Sequence, residues 1–230
     1  MNDAWIADRM RSIEASGIRK AFEMSKAMKD PINLSIGLPD FDVAAPVKAA
    51  AIAAIEQGRN AYTVTQGIPE LRGKIQSAVD SEFGHADRQV LVTSGTSGGL
   101  LLALCSVVNP GDEVIIFDPY FVMYGNLTHL AGGTPVFVDT YPDFRIDIEK
   151  AAAAITCRTK CVIANSPGNP TGVVGSSEEM RKLAELCKTR GLLLISDEVY
   201  RAFCYDRPFA SPAKWNEDVL VATGSVRPTG

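Results

Sequence analysis

From residue 88 onward, short apolar runs alternate with segments of helical period, and this alternation constrains the fold more than any other feature of the chain. Several runs are apolar throughout, which is typical of strands covered on both faces in a mostly parallel sheet. The runs span residues 89–93, 113–117, 134–138, 160–164, 192–196 and 219–222. The sequence therefore predicts an α/β fold, a mostly parallel sheet sandwiched by helices.

The segment before this alternation predicts helices and one short strand. Apolar residues recur near the helical period over the first thirty positions until Pro31, which indicates an N-terminal helical arm. Residues 32–35 form a strand candidate. Further helices are expected to begin near Pro46 and Pro69, because proline suits the first helical turn.

Composition excludes several classes of protein. The 230 residues include 23 Lys plus Arg and 27 Asp plus Glu, with a net charge of −4, so nucleic acid is not expected as a main partner. The longest apolar stretch, 99–108, is about half of the ~20 residues that a membrane span needs, so no membrane association is expected. The acidic Asp3 and Asp8 argue against an export signal. The five cysteines lack metal-ligand spacing, which favours a reducing cytoplasm and no metal site.

Ligands of open parallel sheets bind beyond the carboxyl ends of the strands, so the residues after each run are the candidates for a site. The string VTSGTSGG at 92–99 turns from a predicted strand into a predicted helix, 96–107. Small residues at a helix N-terminus suit a phosphate. The string matches neither a nucleotide P-loop nor GxGxxG, and a tight strand-to-helix turn is the alternative.

Two further loops flank one strand-helix-strand unit whose helix is predicted over 177–189. NSPGNPTG at 165–172 is a rigid Pro/Gly loop that can position an Asn side chain, and SDEVY at 196–200 places a carboxylate near a phenol. A right-handed crossover brings Asn169 and Asp197 to the same edge of the sheet. The alternatives are a plain connecting loop for the first and a helix cap or turn for the second.

The fourth candidate, DPYFVMY at 118–124, places three aromatic residues at a strand exit. Such rings can stack on a flat ligand, and core packing is the alternative.

The order and spacing of these strings resemble the class I and II aminotransferases, which are fold-type-I pyridoxal-phosphate enzymes. NLSIGLPDFD, AYTVTQGIPELR, VTSGTSGGL, NSPGNPTG and SDEVY occur in family order, and the last two are the most specific. The resemblance implies an incomplete cofactor-binding large domain at 44–230, preceded by an arm and the start of a small domain at 1–43. It also implies a homodimer.

The resemblance assigns residues to the cofactor, pyridoxal 5'-phosphate. Ser94, Gly95 and Thr96 would hold the phosphate at a helix N-terminus, helped by Ser225. Asp197 would pair with the pyridine nitrogen and keep it protonated, which makes the ring an electron sink.

Other residues of the family pattern would complete the site. Asn169 and Tyr200 would hydrogen-bond the ring hydroxyl oxygen, and Phe121 would stack on the ring. Gly37 would approach the substrate carboxylate through its backbone, and Tyr62 would reach the cofactor phosphate of the neighbouring subunit. The Asn169–Pro170 peptide bond is expected to be cis, as is typical of the family.

The chain departs from the family at the lysine that binds the cofactor as a Schiff base and shuttles the substrate proton. After Ser225 the sequence reads VRPTG. Either Pro228 stands where the lysine belongs, or intervening residues are missing and Thr229-Gly230 matches a later Thr-Gly. In both alignments the lysine is absent, so no catalytic residue is assigned, and Lys214 is interpreted as a surface residue.

The activity that the resemblance implies is transfer of an amino group from an amino acid to a 2-oxo acid, in a chain that lacks the catalytic lysine. Two alternatives stay open. One is a catalytically inactive domain that binds the cofactor or serves in association. The other is a different fold-type-I activity, such as a carbon-sulfur lyase.

Overall fold

The computed structural model describes residues 3–13, 17–26, 28–30, 32, 40–84 and 87–224. The chain divides into two compact units, one formed by residues 14–68 and the other by residues 1–13 and 69–230. The first unit contains helices α1 (Gly17–Ser25) and α2 (Ala45–Glu56). Helix α2 carries Pro46 in its first turn, as the sequence predicts.

The second unit contains the alternating helices and strands. Its helices are α3 (Pro69–Phe83), α4 (Gly95–Val107), α5 (Met123–Leu130), α6 (Ile148–Ala153) and α7 (Ser177–Arg190). Its strands are β1 (Glu113–Asp118), β2 (Thr134–Asp139), β3 (Thr159–Asn165), β4 (Leu193–Asp197) and β5 (Leu220–Ala222). Five of the six strands predicted after residue 88 are thus present within two residues of their predicted bounds.

The five strands form one sheet in the order β2-β1-β3-β4-β5, and every neighbouring pair is parallel. Alternate side chains of each strand pack into two separate hydrophobic cores, because successive residues of a strand point to opposite faces of the sheet. Ile116 and Ile163 pack with helices α4 and α5 on one face. Ile115 and Leu194 pack with helix α7 on the other. Helices therefore cover both faces, and this explains why the strand runs are apolar throughout.

Helix α7 shows how local sequence fixes an element's ends. Its N-cap Ser176 accepts a hydrogen bond from the Glu179 N–H while the Glu179 carboxylate accepts one from the Ser176 N–H, which forms a capping box. Gly191 ends the helix with φ +65°, a left-handed conformation that glycine adopts without strain. The helix therefore starts and stops where local hydrogen bonding satisfies its exposed backbone groups.

Two elements predicted from the sequence are wrong or only partly present. Residues 89–93 form no strand: the Val90 N–H donates to Gln76 Oε1 and its carbonyl accepts from Arg72 Nε, so side chains of α3 take the place of a sheet neighbour. Within the described part of the N-terminal arm, α1 is the only α-helix, since Asp3–Trp5 and Asp8–Ser12 are short 3-10 helices and Ile13 is extended. The strand predicted at 32–35 lies largely outside the described residues. The division at residue 43 stays a prediction.

Candidate active site

A cavity of about 310 Å³ opens at the carboxyl edge of the sheet. It lies where strands β3 and β4 end and where helix α4 begins, the position at which parallel α/β sheets bind ligands. Twelve residues line it: Ser94, Gly95, Thr96, Ser97, Leu100, Phe121, Tyr124, Asn165, Asn169, Asp197, Val199 and Tyr200.

The N-terminus of α4 forms one wall of this cavity. Gly95 has φ +68° and its N–H donates to the Thr93 carbonyl at 2.9 Å, so the chain turns sharply into the helix. The N-cap Ser94 makes no side-chain capping hydrogen bond. The Thr96 hydroxyl donates to the Thr223 carbonyl at 3.4 Å, which ties the helix start to the segment after β5. Small side chains at the positive end of a helix leave room for an anion.

The carboxylate of Asp197 forms the floor of the cavity. Asp197 is the last residue of β4 and is buried. Its Oδ2 accepts from the Tyr124 hydroxyl at 2.7 Å, and its Oδ1 accepts from the Val199 N–H at 3.1 Å. Burial raises the pKa of Asp197, and these two hydrogen bonds oppose that shift. Burial together with the adjacent carboxylate also raises the pKa of Tyr124, which keeps the phenol protonated as a donor.

The loop after β3 is held beside Asp197 by amide hydrogen bonds. Asn165 Nδ2 donates to the Asp197 carbonyl at 3.0 Å, while Asn165 Oδ1 accepts from the Asn169 N–H at 2.7 Å. Asn169 Nδ2 in turn donates to the Tyr200 hydroxyl at 3.4 Å. The Asn169–Pro170 bond is cis, which confirms the prediction. Two loops far apart in the chain thus present an amide and a phenol to one cavity.

Phe121 supplies an aromatic wall. Its ring lies edge-on to Tyr124, with centroids 5.7 Å apart and planes inclined by 80°. Its neighbour Tyr120 instead stacks on Phe137 at 4.7 Å. The cavity therefore receives the ring of Phe121, and Tyr120 packs against β2.

The structure brings together seven of the predicted site residues: Ser94, Gly95, Thr96, Phe121, Asn169, Asp197 and Tyr200 all line the cavity. Gly37 and Ser225 lie outside the described residues. Tyr62 belongs to the other compact unit and is fully exposed. Lys214 is exposed at the end of a short 3-10 helix, as interpreted from the sequence.

The sequence assigns no role to five of the residues that line the cavity: Ser97, Leu100, Tyr124, Asn165 and Val199. Two of these, Tyr124 and Asn165, bind other residues of the site through their side chains. The sequence places Tyr124 among the aromatics at a strand exit and gives it no role of its own, but its hydroxyl binds Asp197 directly. Asn165 begins the predicted loop 165–172 without an assigned role, and its amide anchors that loop to β4. The signal for Tyr124 is its place in the DPYFVMY string: Phe121 precedes the N-cap of α5, Tyr124 lies in its first turn, and both rings reach the cavity.

A parallel sheet covered by helices on both faces, with a cavity at its carboxyl edge between a helix N-terminus and a buried carboxylate, defines an α/β protein of the kind that binds ligands at that edge. Residues 29–226 match the family model described as aminotransferase class I and II. The chain belongs to that family, whose members depend on pyridoxal phosphate. Among the described residues, no helix is long and apolar enough to cross a membrane.

Known proteins similar to this chain carry aminotransferase names. A putative aminotransferase, YugH, of Bacillus subtilis is 40% identical over 215 residues, which cover 91% of this chain and 56% of the relative. A probable aspartate aminotransferase of Methanocaldococcus jannaschii is 38% identical over 221 residues, which cover 95% and 58%. The solved aspartate aminotransferase from Thermus thermophilus with maleate superposes with a TM-score of 0.89 at 35% identity, covering 96% of this chain and 60% of that one. The chain thus spans little more than half the length of the curated relatives it matches.

Proposed function

We propose that this chain provides the cofactor-binding part of a pyridoxal-phosphate-dependent aminotransferase, which transfers an amino group from an amino acid to a 2-oxo acid. The observation that carries the proposal is the buried carboxylate of Asp197 on the floor of the cavity. The Tyr124 hydroxyl and the Val199 N–H that donate to it are both uncharged. A buried anion held by neutral donors favours a ligand with a positive charge, such as a protonated ring nitrogen.

The other walls fit the remaining parts of the cofactor. Ser94, Gly95 and Thr96 at the start of α4 would bind the phosphate through backbone N–H groups and hydroxyls. Asn169 and Tyr200, already in hydrogen-bond contact, would hold the ring hydroxyl oxygen. Phe121 would cover one face of the ring. We assign Ser225 to the phosphate and Gly37 to the substrate carboxylate from the family pattern alone.

When bound, pyridoxal phosphate supplies an electron sink for the negative charge that develops at the substrate's α carbon. The chain's own residues serve that chemistry by electrostatics and orientation. Asp197 would keep a proton on the ring nitrogen, because a buried negative charge strongly favours a neighbouring positive one. Tyr124 and Val199 keep the Asp197 carboxylate in one orientation. Asn169 and Tyr200 would hold the ring hydroxyl oxygen and so orient the ring.

The proposal extends to partners and compartment. The relatives include proteins named for aspartate, aspartate/prephenate and aromatic amino acids, so an amino acid and a 2-oxo acid are the proposed substrates without a choice among them. A homodimer is proposed, in which the exposed Tyr62 reaches the phosphate of the neighbouring subunit. The cytoplasm is the proposed compartment, supported by five cysteines that form no disulfide with one another in the structure.

A chain that binds the cofactor without turnover is the second candidate. It is favoured by the sequence 224–230, GSVRPTG, which contains no lysine, and by a cavity whose described lining also contains none. Incubation of the chain with pyridoxal phosphate and, in turn, aspartate and the aromatic amino acids, followed by assay of the 2-oxo acid, separates the two. Oxo acid formed faster than with free cofactor supports the aminotransferase, and cofactor binding without it supports the second candidate.

Binding itself is tested with pyridoxamine 5'-phosphate, whose amine does not condense with surface lysines. Calorimetric titration is expected to show saturable binding that Asp197→Asn weakens by at least about tenfold, the loss of one charged contact. Asp118→Asn is the matched control, because Asp118 ends β1 at the same sheet edge but does not line the cavity. Absence of binding by the unaltered chain, or equal effects of the two variants, would refute the proposal.

A further inference from the structure

The neighbours Asp197 and Glu198 extend to opposite faces of the sheet, as consecutive residues at a strand end do. Asp197 faces the cavity and Tyr124. Glu198 is fully buried on the other side, where it accepts hydrogen bonds from the hydroxyls of Ser196 and Ser211. Its N–H donates to the Ala222 carbonyl at 2.7 Å, so its backbone is fixed to β5. A fully buried carboxylate outside the cavity calls for a structural or functional reason.

Arg201 supplies the charge that balances Glu198. Its Nη1 lies 3.4 Å from Glu198 Oε2, and its Nη2 binds Glu82 at the end of α3. The guanidinium also lies over the ring of Phe209, 4.9 Å from the centroid. Burial raises the pKa of Glu198, while Ser211 and Arg201 oppose the shift. One arginine thus joins α3, the turn after β4 and the segment before Ser211.

The same pair closes a single turn of backbone. The Arg201 N–H donates to the Glu198 carbonyl at 3.0 Å, and the side chains of these two residues meet as well. The two residues enclosed by this turn are Val199, whose N–H binds Asp197, and Tyr200, whose phenol lines the cavity.

We infer that Glu198 and Arg201 are positioning residues: their ion pair fixes the turn that aims the Tyr200 phenol at Asn169 and into the cavity. Neither residue lines the cavity. They act through Tyr200, whose hydroxyl meets Asn169 at 3.4 Å. The inference rests on the proposed function only where it concerns the ligand that the phenol binds. The orientation of Tyr200 itself does not depend on any ligand.

The orientation of Tyr200 can be measured without any ligand. The chain has six tyrosines, so labelling each ring carbon that bears the hydroxyl with ¹³C gives a simple NMR spectrum, which Tyr200→Phe and Tyr124→Phe assign. Glu198→Gln keeps an oxygen that accepts from both serines but turns an amide NH₂ toward the guanidinium. The amide NH₂ and the guanidinium are both hydrogen-bond donors, so Arg201 loses its contact with residue 198. We expect the Tyr200 signal to shift or broaden while that of Tyr124, which is held by its hydrogen bond to Asp197, stays in place.

Arg201→Lys and Glu82→Gln test the same ion-pair network if Glu198→Gln fails to fold. A lysine cannot bridge two carboxylates as the guanidinium fork does, so Arg201→Lys is expected to move the Tyr200 signal. Glu82→Gln loosens Arg201 from a partly exposed site and leaves Glu198 untouched. Arg145→Ala is the control, since Arg145 forms an ion pair with Glu179, and neither residue belongs to the turn 198–201. An unchanged Tyr200 signal in folded Glu198→Gln and Arg201→Lys, or an equal shift in Arg145→Ala, overturns the inference.

Calorimetry with two probes extends the test to the cavity. Affinity for pyridoxamine 5'-phosphate is expected to fall about tenfold in Glu198→Gln, the equivalent of one or two hydrogen bonds. Affinity for inorganic phosphate, which is proposed to bind at the start of α4 without Tyr200, is expected to stay unchanged. General loss of structure would weaken both, which would contradict a positioning role. Failure of the unaltered chain to bind pyridoxamine 5'-phosphate would refute the proposed function and leave the NMR result to decide the inference.

Discussion

The Tyr124 hydroxyl donates a 2.7 Å hydrogen bond to Oδ2 of Asp197, and both side chains are buried at the carboxyl edge of the sheet. The two residues are 73 positions apart and lie on α5 and β4. The bond provides a permanent donor for a carboxylate that burial would otherwise drive toward protonation. It therefore links the stability of the fold to the charge of the candidate site.

Tyr124→Phe removes this donor and leaves the aromatic ring in place. We expect a loss of about 1–3 kcal/mol in the free energy of unfolding at neutral pH, because a buried carboxylate loses a hydrogen bond. The loss should shrink in acid, where Asp197 is protonated. Urea denaturation at neutral and acidic pH measures both. Tyr205→Phe, at an exposed phenol, is the control, and a pH-independent loss in Tyr124→Phe would contradict the expectation.

Asp197→Asn is expected to stabilise the fold at neutral pH by about 1 kcal/mol, a gain of the size found when a functional polar group is replaced. The amide keeps both contacts: its oxygen accepts from Val199, and its NH₂ donates to Tyr124. The pKa of Asp197 is raised in the folded chain, so its stabilising contribution is complete below the ordinary value of 3.8 and is lost as pH rises through the raised pKa.

The difference in unfolding free energy between Asp197→Asn and the unaltered chain should therefore grow with pH above 3.8. Denaturation series over this range measure it. A difference that falls as pH rises would show that the pKa of Asp197 is lowered rather than raised.

Gly95→Ala and Gly98→Ala test the start of α4. Gly95 has φ +68°, so a side chain there is strained and we expect a loss of about 1–2 kcal/mol even though a Cβ would meet no atom within 4 Å. Gly98 lies within the helix, and its added Cβ would sit 3.5 Å from Ser94 Cβ, an ordinary contact. Gly98→Ala should be neutral or stabilising. Thermal melts compare the two, and equal losses would disprove the role of φ.

Ser176→Ala removes the N-cap of α7. We expect a loss of about 1 kcal/mol in stability, because the Glu179 N–H loses its acceptor and the capping box is broken. Ser106→Ala is the matched control: the Ser106 hydroxyl donates to the Leu102 carbonyl within α4 and caps nothing. Chemical denaturation measures the loss of stability in both variants. A loss in Ser176→Ala no larger than that in Ser106→Ala would count against the capping role.

Local pattern was enough to predict the five strands, the helices between them and the loops that carry Gly95, Asn169 and Asp197. Strand and helix periods are properties of neighbouring residues, and a parallel sheet places every strand's carboxyl end at one edge. The sequence by itself therefore determined which loops meet, and motif resemblance determined the family.

Only the tertiary structure decided which side chains bind one another. The pattern of residues 89–93 predicts a strand, yet the backbone groups of Val90 bind the side chains of Arg72 and Gln76. A strand forms only where the backbone of a neighbouring strand pairs with it. Tyr124 reaches Asp197, and Arg201 joins Glu198, only because the sheet and its covering helices bring distant segments together. Such contacts depend on side-chain direction and packing in three dimensions, which local periodicity does not encode.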